Sequence, residues 1–114
     1  MIQEQFSGKE FLLGIKKTPE FSHVLGFGRG GTDTEKFDDV SFRVCPLIEE
    51  DYVQMINQIE FSRGLKSGQV KDIISVLKKL NSLVEKYPEI EELDINPLMV
   101  SENDSVIVDV RIVK

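Results

Sequence analysis

The chain has 114 residues, 40% hydrophobic and 30% charged, which is enough for one core, too short for two, and too apolar for wholesale disorder. A net charge of −6 argues against a broad nucleic-acid footprint, which needs clustered Lys and Arg, but not against phosphate binding through a few placed cations and a metal. The single cysteine, Cys45, cannot form an internal disulfide, and no Cys/His cluster, secretory leader or membrane-length apolar run is present, so a cytoplasmic setting off the membrane is expected.

Glu10 to Lys17 alternates, with Phe11, Leu13 and Ile15 on one face and Glu10, Leu12, Gly14 and Lys16 on the other, which predicts a strand. Thr18-Pro19-Glu20 reads as a turn and His23 to Phe27 as a returning strand. Gly28-Arg29-Gly30-Gly31 is expected to be a loop, since three glycines in four positions weaken regular structure. Its backbone N–H groups are one candidate for holding an anion, but the loop lacks the Lys and the strand–loop–helix setting of a P-loop, so a sharp turn is its expected job. Val40 to Cys45 alternates again, with Val40, Phe42 and Val44 facing one way and Ser41, Arg43 and Cys45 the other, and Pro46 closes it.

Glu49-Glu50-Asp51 places acids where a first helical turn favours them; Tyr52, Met55, Ile56 and Ile59 follow at helical spacing, and Gly64 is a natural stop. A second helix is expected from about Val70 to Tyr87, its stripe being Val70, Ile73, Ile74, Leu77, Leu80, Leu83, Val84 and Tyr87. Leu93 to Val100 and Val106 to Val113 read as two strands joined by the polar turn at 101–105. The order β-β-β-α-α-β-β predicts one α+β domain over 1–114, a mostly antiparallel sheet with a helical pair on one side.

The last hairpin carries the sharpest chemical signal. Asp94 and Asn96 share a strand face, as do Asp109 and Arg111. With Val100 opposite Ser105, Asn96 falls directly opposite Asp109, and such pairs have Cβ atoms about 4.5–5.5 Å apart on one side of the sheet. An amide oxygen and a carboxylate so placed suit Mg²⁺, which takes one or two protein groups besides phosphates and waters. Arg111 on the same face would meet a phosphate or neutralise Asp109. From pattern alone, polar residues on a solvated hairpin face is the favoured reading, and Pro97 signals an edge or bulge.

Leu93-Asp94-Ile95-Asn96-Pro97-Leu98-Met99-Val100, followed by Val108-Asp109-Val110-Arg111-Ile112, resembles the ATP-grasp region of ADP-forming acetyl-CoA synthetase β subunits and of the related succinyl-CoA synthetase β subunits. Gly8-Lys9-Glu10-Phe11, Phe27-Gly28-Arg29-Gly30-Gly31, Asp39-Val40-Ser41-Phe42-Arg43, Pro46-Leu47 and Tyr87-Pro88-Glu89-Ile90 match in the same order. Several ordered motifs across the whole chain are far more specific than any one of them.

The resemblance implies the C-terminal, metal-binding lobe of an ATP-grasp fold, with Asn96 and Asp109 as its Mg²⁺ ligands and ATP or ADP as substrate. Glu35 matches an acid after the Gly-Gly pair, placed near metal or phosphates, the alternative being a solvated loop acid. Arg43 matches the family's Ser-Phe-Arg, with a phosphate contact or an internal salt bridge as its two readings; Glu10 matches without an assigned role. His23 matches no phosphohistidine and reads as structural or surface. Cys45 reads as a small, partly buried residue. Ile48 departs from a Thr that would cap the first helix.

The family's first lobe, with most of the adenine pocket and a phosphate-contacting lysine, and its CoA-binding α subunit do not match within these residues. They are the implied partners, and the chain is expected to be a fragment or a split subunit, inactive alone. The implied reaction of the complete enzyme interconverts acyl-CoA, ADP and phosphate with acid, CoA and ATP. The competing expectation is a non-catalytic interaction module that keeps the half-fold.

Overall fold

The structure is a computed structural model and describes residues 9–20, 22–30, 39–101, 105–107 and 109–114. Alternation in β1 (Lys9–Lys16) buries Phe11, Leu13 and Ile15 while the residues between them stay on the opposite face. β2 (Val24–Arg29) returns antiparallel to it, and β3 (Val40–Val44) returns along β2. β2 thus runs through Gly28 and Arg29, where a loop was expected. Backbone approach explains the glycines: a Cβ on Gly28 would lie 2.9 Å from the Asp39 carbonyl oxygen, and one on Gly30 about 3.0 Å from the Glu10 carbonyl carbon.

β3 leads into α1 (Glu49–Gln58), which buries Tyr52, Met55 and Ile56 at helical spacing. Ile48 has no side-chain acceptor for the N-cap, but half of the reciprocal cap survives: its N–H donates to Asp51 Oδ2 at 2.9 Å. α1 stops earlier than Gly64, giving way to a 3₁₀ turn over Glu60–Ser62; Gly64 then takes φ +87°, a conformation that favours glycine. Asp39 holds the start of that turn, accepting from Glu60 N–H at 2.7 Å and Phe61 N–H at 3.0 Å. Lys9 holds its end, donating to the Phe61 and Arg63 carbonyls at 2.8 and 2.9 Å.

α2 (Ser67–Lys86) starts three residues before the apolar stripe, because Gln69 Oε1 accepts the Lys66 N–H at 2.8 Å. Its buried arc, Ile73, Leu77, Leu80 and Val84, is turned toward buried Asn81, so Leu83 and Tyr87 are exposed rather than part of the stripe. β4 (Glu92–Val100) pairs with β1 on one side. On its other side lie two short segments, β5 (Ser105–Ile107) and β6 (Val110–Val113), where one continuous strand was expected.

The sheet order is β3-β2-β1-β4, with β5 and β6 both on the far edge of β4, and every pairing is antiparallel. One face is dry: Phe11, Leu13, Leu25, Phe27, Leu93, Ile95 and Leu98 pack beneath the helices, with Phe11 stacked on Phe27 at 5.1 Å. Buried Ser41 ties sheet to helix by donating to the Met55 carbonyl at 3.0 Å. His23 is buried too, its Nε2 bonding the Ile90 carbonyl at 2.8 Å; a carbonyl only accepts, so the proton sits on Nε2. Of its two expected readings, the structural one is what the fold uses. No helix among the described residues is long and apolar enough to cross a membrane.

Candidate functional site

Among the described residues, no helix or strand covers the opposite face of the sheet. Phe42, Gly26, Gly14, Asp94 and Arg111 are consecutive partners across β3, β2, β1, β4 and β6, so they form one row over that face. The two central positions lack side chains. Their neighbours lean into the space: Phe42 lies 3.1 Å from where a Gly26 Cβ would be, and Asp94 Oδ1 2.9 Å from a Gly14 Cβ. The result is a groove of about 450 Å³. Leu12, Val40 and Phe42 make its apolar wall, while Lys16, Glu92, Asp94 and Asn96 make its polar rim.

Asn96 reaches this rim through a bulge. β1 pairs Phe11 with Leu98 and Leu13 with Ile95, leaving Asn96 and Pro97 together opposite Leu12. Proline has no N–H for a ladder, and the bulge is where an internal strand tolerates it. On the other side the pairs of β5 (Val100↔Ser105, Leu98↔Ile107) and of β6 (Ile95↔Val110, Asp94↔Arg111) keep one and the same register. That puts Asp109 directly across from Asn96, and the Asn96 N–H donates to the Asp109 carbonyl at 3.2 Å. Both residues are exposed.

Arg111 stands beside Asp94 rather than beside Asp109, with Nη1 3.7 Å from Asp94 Oδ2. Partial burial, together with the hydrogen bond and charge of Glu92, pushes the Asp94 carboxyl up to about 6, against the pull of Arg111 and Lys16. Arg43 lies apart: it pairs with buried Leu25, so it starts from the helix side, and its Nη1 donates to the Phe42 carbonyl at 2.7 Å. Glu35 falls outside the described residues. Cys45 is half-buried, and burial with the nearby Glu85 charge pushes its thiol up to about 11, which makes it a poor nucleophile.

Among the described residues, no three His, Cys, Asp or Glu side chains converge on one point. The described His, Cys, Asp and Glu residues therefore build no cation site by themselves. An amide oxygen and a carboxylate at paired, solvated positions fit a hard cation that brings phosphate and water as its remaining ligands.

Sequence reasoning named Asn96, Asp109 and Arg111 but passed over Phe42, Gly14, Gly26 and the environment of Asp94. A signal was present: the alternation in β1 sets Gly14 on the polar face. Its pairing with Gly26 became visible only with the register of the first hairpin.

The chain matches the ATP-grasp domain model over residues 1–113. It belongs to the ATP-grasp family. The β subunit of acetate–CoA ligase [ADP-forming] I from Pyrococcus furiosus is 35% identical over 112 residues, covering 93% of this chain and 48% of that one. The 4-hydroxybutyrate–CoA ligase [ADP-forming] of Nitrosopumilus maritimus is 34% identical over 113 residues, covering 92% and 16%. In three dimensions the fold resembles the dinucleotide forming acetyl-coenzyme A synthetase 1 of Ca. Korarchaeum cryptofilum, solved with coenzyme A and Mg-AMPPCP. That likeness has a TM-score of 0.83 at 33% identity, over 94% of this chain and 53% of that one. This ATP-grasp chain thus spans about half the length, or less, of the relatives it matches.

Proposed function

We propose that this ATP-grasp chain is the metal-binding lobe of an ADP-forming acyl-CoA synthetase, and that Asn96 and Asp109 hold Mg²⁺ on the phosphates of ATP or ADP. The observation that carries this reading is the cross-strand pair itself: two exposed oxygen-bearing side chains placed opposite each other, with Asn96 on the rim of the open groove. When bound, the ion neutralises phosphate charge and helps align the phosphoryl group for transfer. Position comes from the backbone in this reading: the bulge at Asn96 and Pro97 sets the amide on the rim, and the register common to β5 and β6, with the Asn96 N–H bond to the Asp109 carbonyl, sets Asp109 opposite it.

Arg111 is, with Lys16, a cation on this side of the sheet, and Asp94 tethers it where it can meet phosphate oxygens. Arg43, held by its own strand, serves the fold in this reading. Glu35 enters it only through the match of its motif. The complete enzyme interconverts acyl-CoA, ADP and phosphate with acid, CoA and ATP. The first ATP-grasp lobe and a CoA-binding subunit are the partners this requires, in a cytoplasmic setting.

Paramagnetic broadening by Mn²⁺–ADP is the direct test. The isolated chain should bind weakly, with broadening centred on Asn96 and Asp109. Asn96→Ala and Asp109→Ala should each weaken binding about tenfold or more. Both positions are exposed, so circular dichroism should show the variants folded. Undiminished broadening in the folded double variant would remove the assignment.

A further inference from the structure

The two outer edges of the sheet differ. Along a strand, backbone groups point alternately to the neighbouring strand and away from it. The Cys45 N–H donates to the His23 carbonyl at 2.9 Å, so Arg43 and Cys45 face β2 and the Phe42 carbonyl points outward from the free edge of β3. Arg43 folds over that edge and donates to this carbonyl at 2.7 Å, a charge that discourages a further strand. On β6 the Asp109 and Val113 carbonyls face β4, so the N–H and C=O groups of Val110 and Ile112 point outward. Among the described residues, no strand pairs beyond them. Val110 and Ile112 stand about half exposed on the helix side, and Asp109 and Arg111 are exposed on the other.

We propose that β6 pairs antiparallel with β6 of a second copy of this chain, Val110 opposite Val110, so that each Arg111 meets the other copy's Asp109. Charge selects this register. With Val110 opposite Ile112, Arg111 would face Arg111, and like charges directly opposite repel. With Ile112 opposite Ile112, Arg111 would face the uncharged Val113. Only with Val110 at the two-fold axis do Arg111 and Asp109 face each other, and symmetry makes that pair twice. Neither residue spends its backbone on the seam, so they form the more closely spaced kind of cross-strand pair. On the helix side the two Val110 side chains meet, and the dry faces of the two sheets become continuous.

The seam also regulates the proposed site, and for this part it rests on the Mg²⁺ reading. The second copy's guanidinium and a divalent ion compete for the Asp109 carboxylate. Self-pairing and Mg²⁺–nucleotide binding therefore oppose each other, each weakening the other by the same factor. The paired chain is an idle form of the lobe whose metal ligand is occupied by arginine. A seam of so few residues is weak and salt-sensitive, as a reversible block must be.

Cysteine cross-linking reads the register directly. On a Cys45→Ser background, Val110→Cys should join two copies under mild oxidation, because opposed residues of this kind have Cα atoms about 5.5 Å apart, within disulfide range. Ile112→Cys should not, since the two copies of that residue lie four positions out of step, about 13 Å along the strands. Cross-linking through Ile112→Cys alone, or through neither, overturns the proposal. In sedimentation equilibrium, Arg111→Asp and Asp109→Arg should each weaken association about tenfold, and the double swap should restore it. Arg111→Gln, a milder change whose fold circular dichroism can confirm, should weaken it too. Stronger association on removal of Arg111 would mean that the arginines face each other, and the proposed register falls. Mg²⁺–ADP should raise the dissociation constant of the paired form severalfold. A seam proved by cross-linking yet indifferent to Mg²⁺–ADP overturns the regulation. Loss of the seam with Mn²⁺–ADP broadening at Asn96 and Asp109 intact leaves the metal reading standing.

Discussion

Asp94 is a carboxylate that the fold prefers protonated. Its side chain lies over Gly14 and is only 34% exposed, and this burial, with the hydrogen bond and charge of Glu92, pushes its pKa from 3.8 up to about 6. Because the folded state binds this proton more tightly than the unfolded chain, the associated stability is complete below about 3.8 and lost as pH rises through about 6. Without divalent cation, the melting temperature of the native chain relative to Asp94→Asn should therefore fall between pH 4 and 7 and level off above. A constant difference across that window would contradict the assigned environment. Cys45 makes the opposite kind of residue-scale statement. With its thiol raised to about 11, it should react with a disulfide reagent at pH 8 far more slowly than a free thiol does, and unfolding in urea should restore the rate.

At the scale of elements, α1 begins on an isoleucine that is 64% exposed and offers no acceptor to the first turn. Ile48→Thr adds the missing half of the reciprocal cap opposite Asp51 and should stabilise the chain by about 1 kcal/mol in urea unfolding. The 3₁₀ turn shows the reverse case. Asp39→Ala strips the acceptors from two backbone N–H groups at Glu60 and Phe61 and should destabilise by about 2 kcal/mol.

These elements also show what sequence pattern can and cannot carry. Alternation found the faces of β1 and β4 because one side of the sheet is dry, so a polar residue there is penalised; in β3 it separated the two sets correctly, but the apolar Phe42 and Val44 lie on the open face and Ser41 on the buried one. The opposition of Asn96 and Asp109 followed from one assumption about where the final turn closes. Gly28 and Arg29 escaped because propensity argues against glycine in strands, whereas the need here is close approach of β3, a fact of tertiary packing. The hold of Lys9 and Asp39 on the 60–63 turn was hidden for the same reason. Each lies far from the turn in sequence, and neither pattern nor composition marks a lysine as a ligand of backbone carbonyls.

For the molecule as a whole, the helices do not cover the full width of the sheet. Buried Leu93, Ile95 and Leu98 pair with Ile112, Val110 and Ile107, which are 52%, 48% and 45% exposed although they continue the same apolar face. An apolar border along a sheet edge is prone to pairing with other chains unless charge or covering protects it. The isolated chain should therefore self-associate as concentration rises, despite its net charge of −6. Val110→Lys with Ile112→Lys should suppress that association in sedimentation velocity, at a stability cost of about 1 kcal/mol per site because each residue is only half buried. Phe42→Ser probes the open face in parallel. If it alone abolished association, the groove and not the β6 border would be the adhesive surface. If the lysine pair did so, the groove would remain free in the isolated chain, as small-molecule binding there requires.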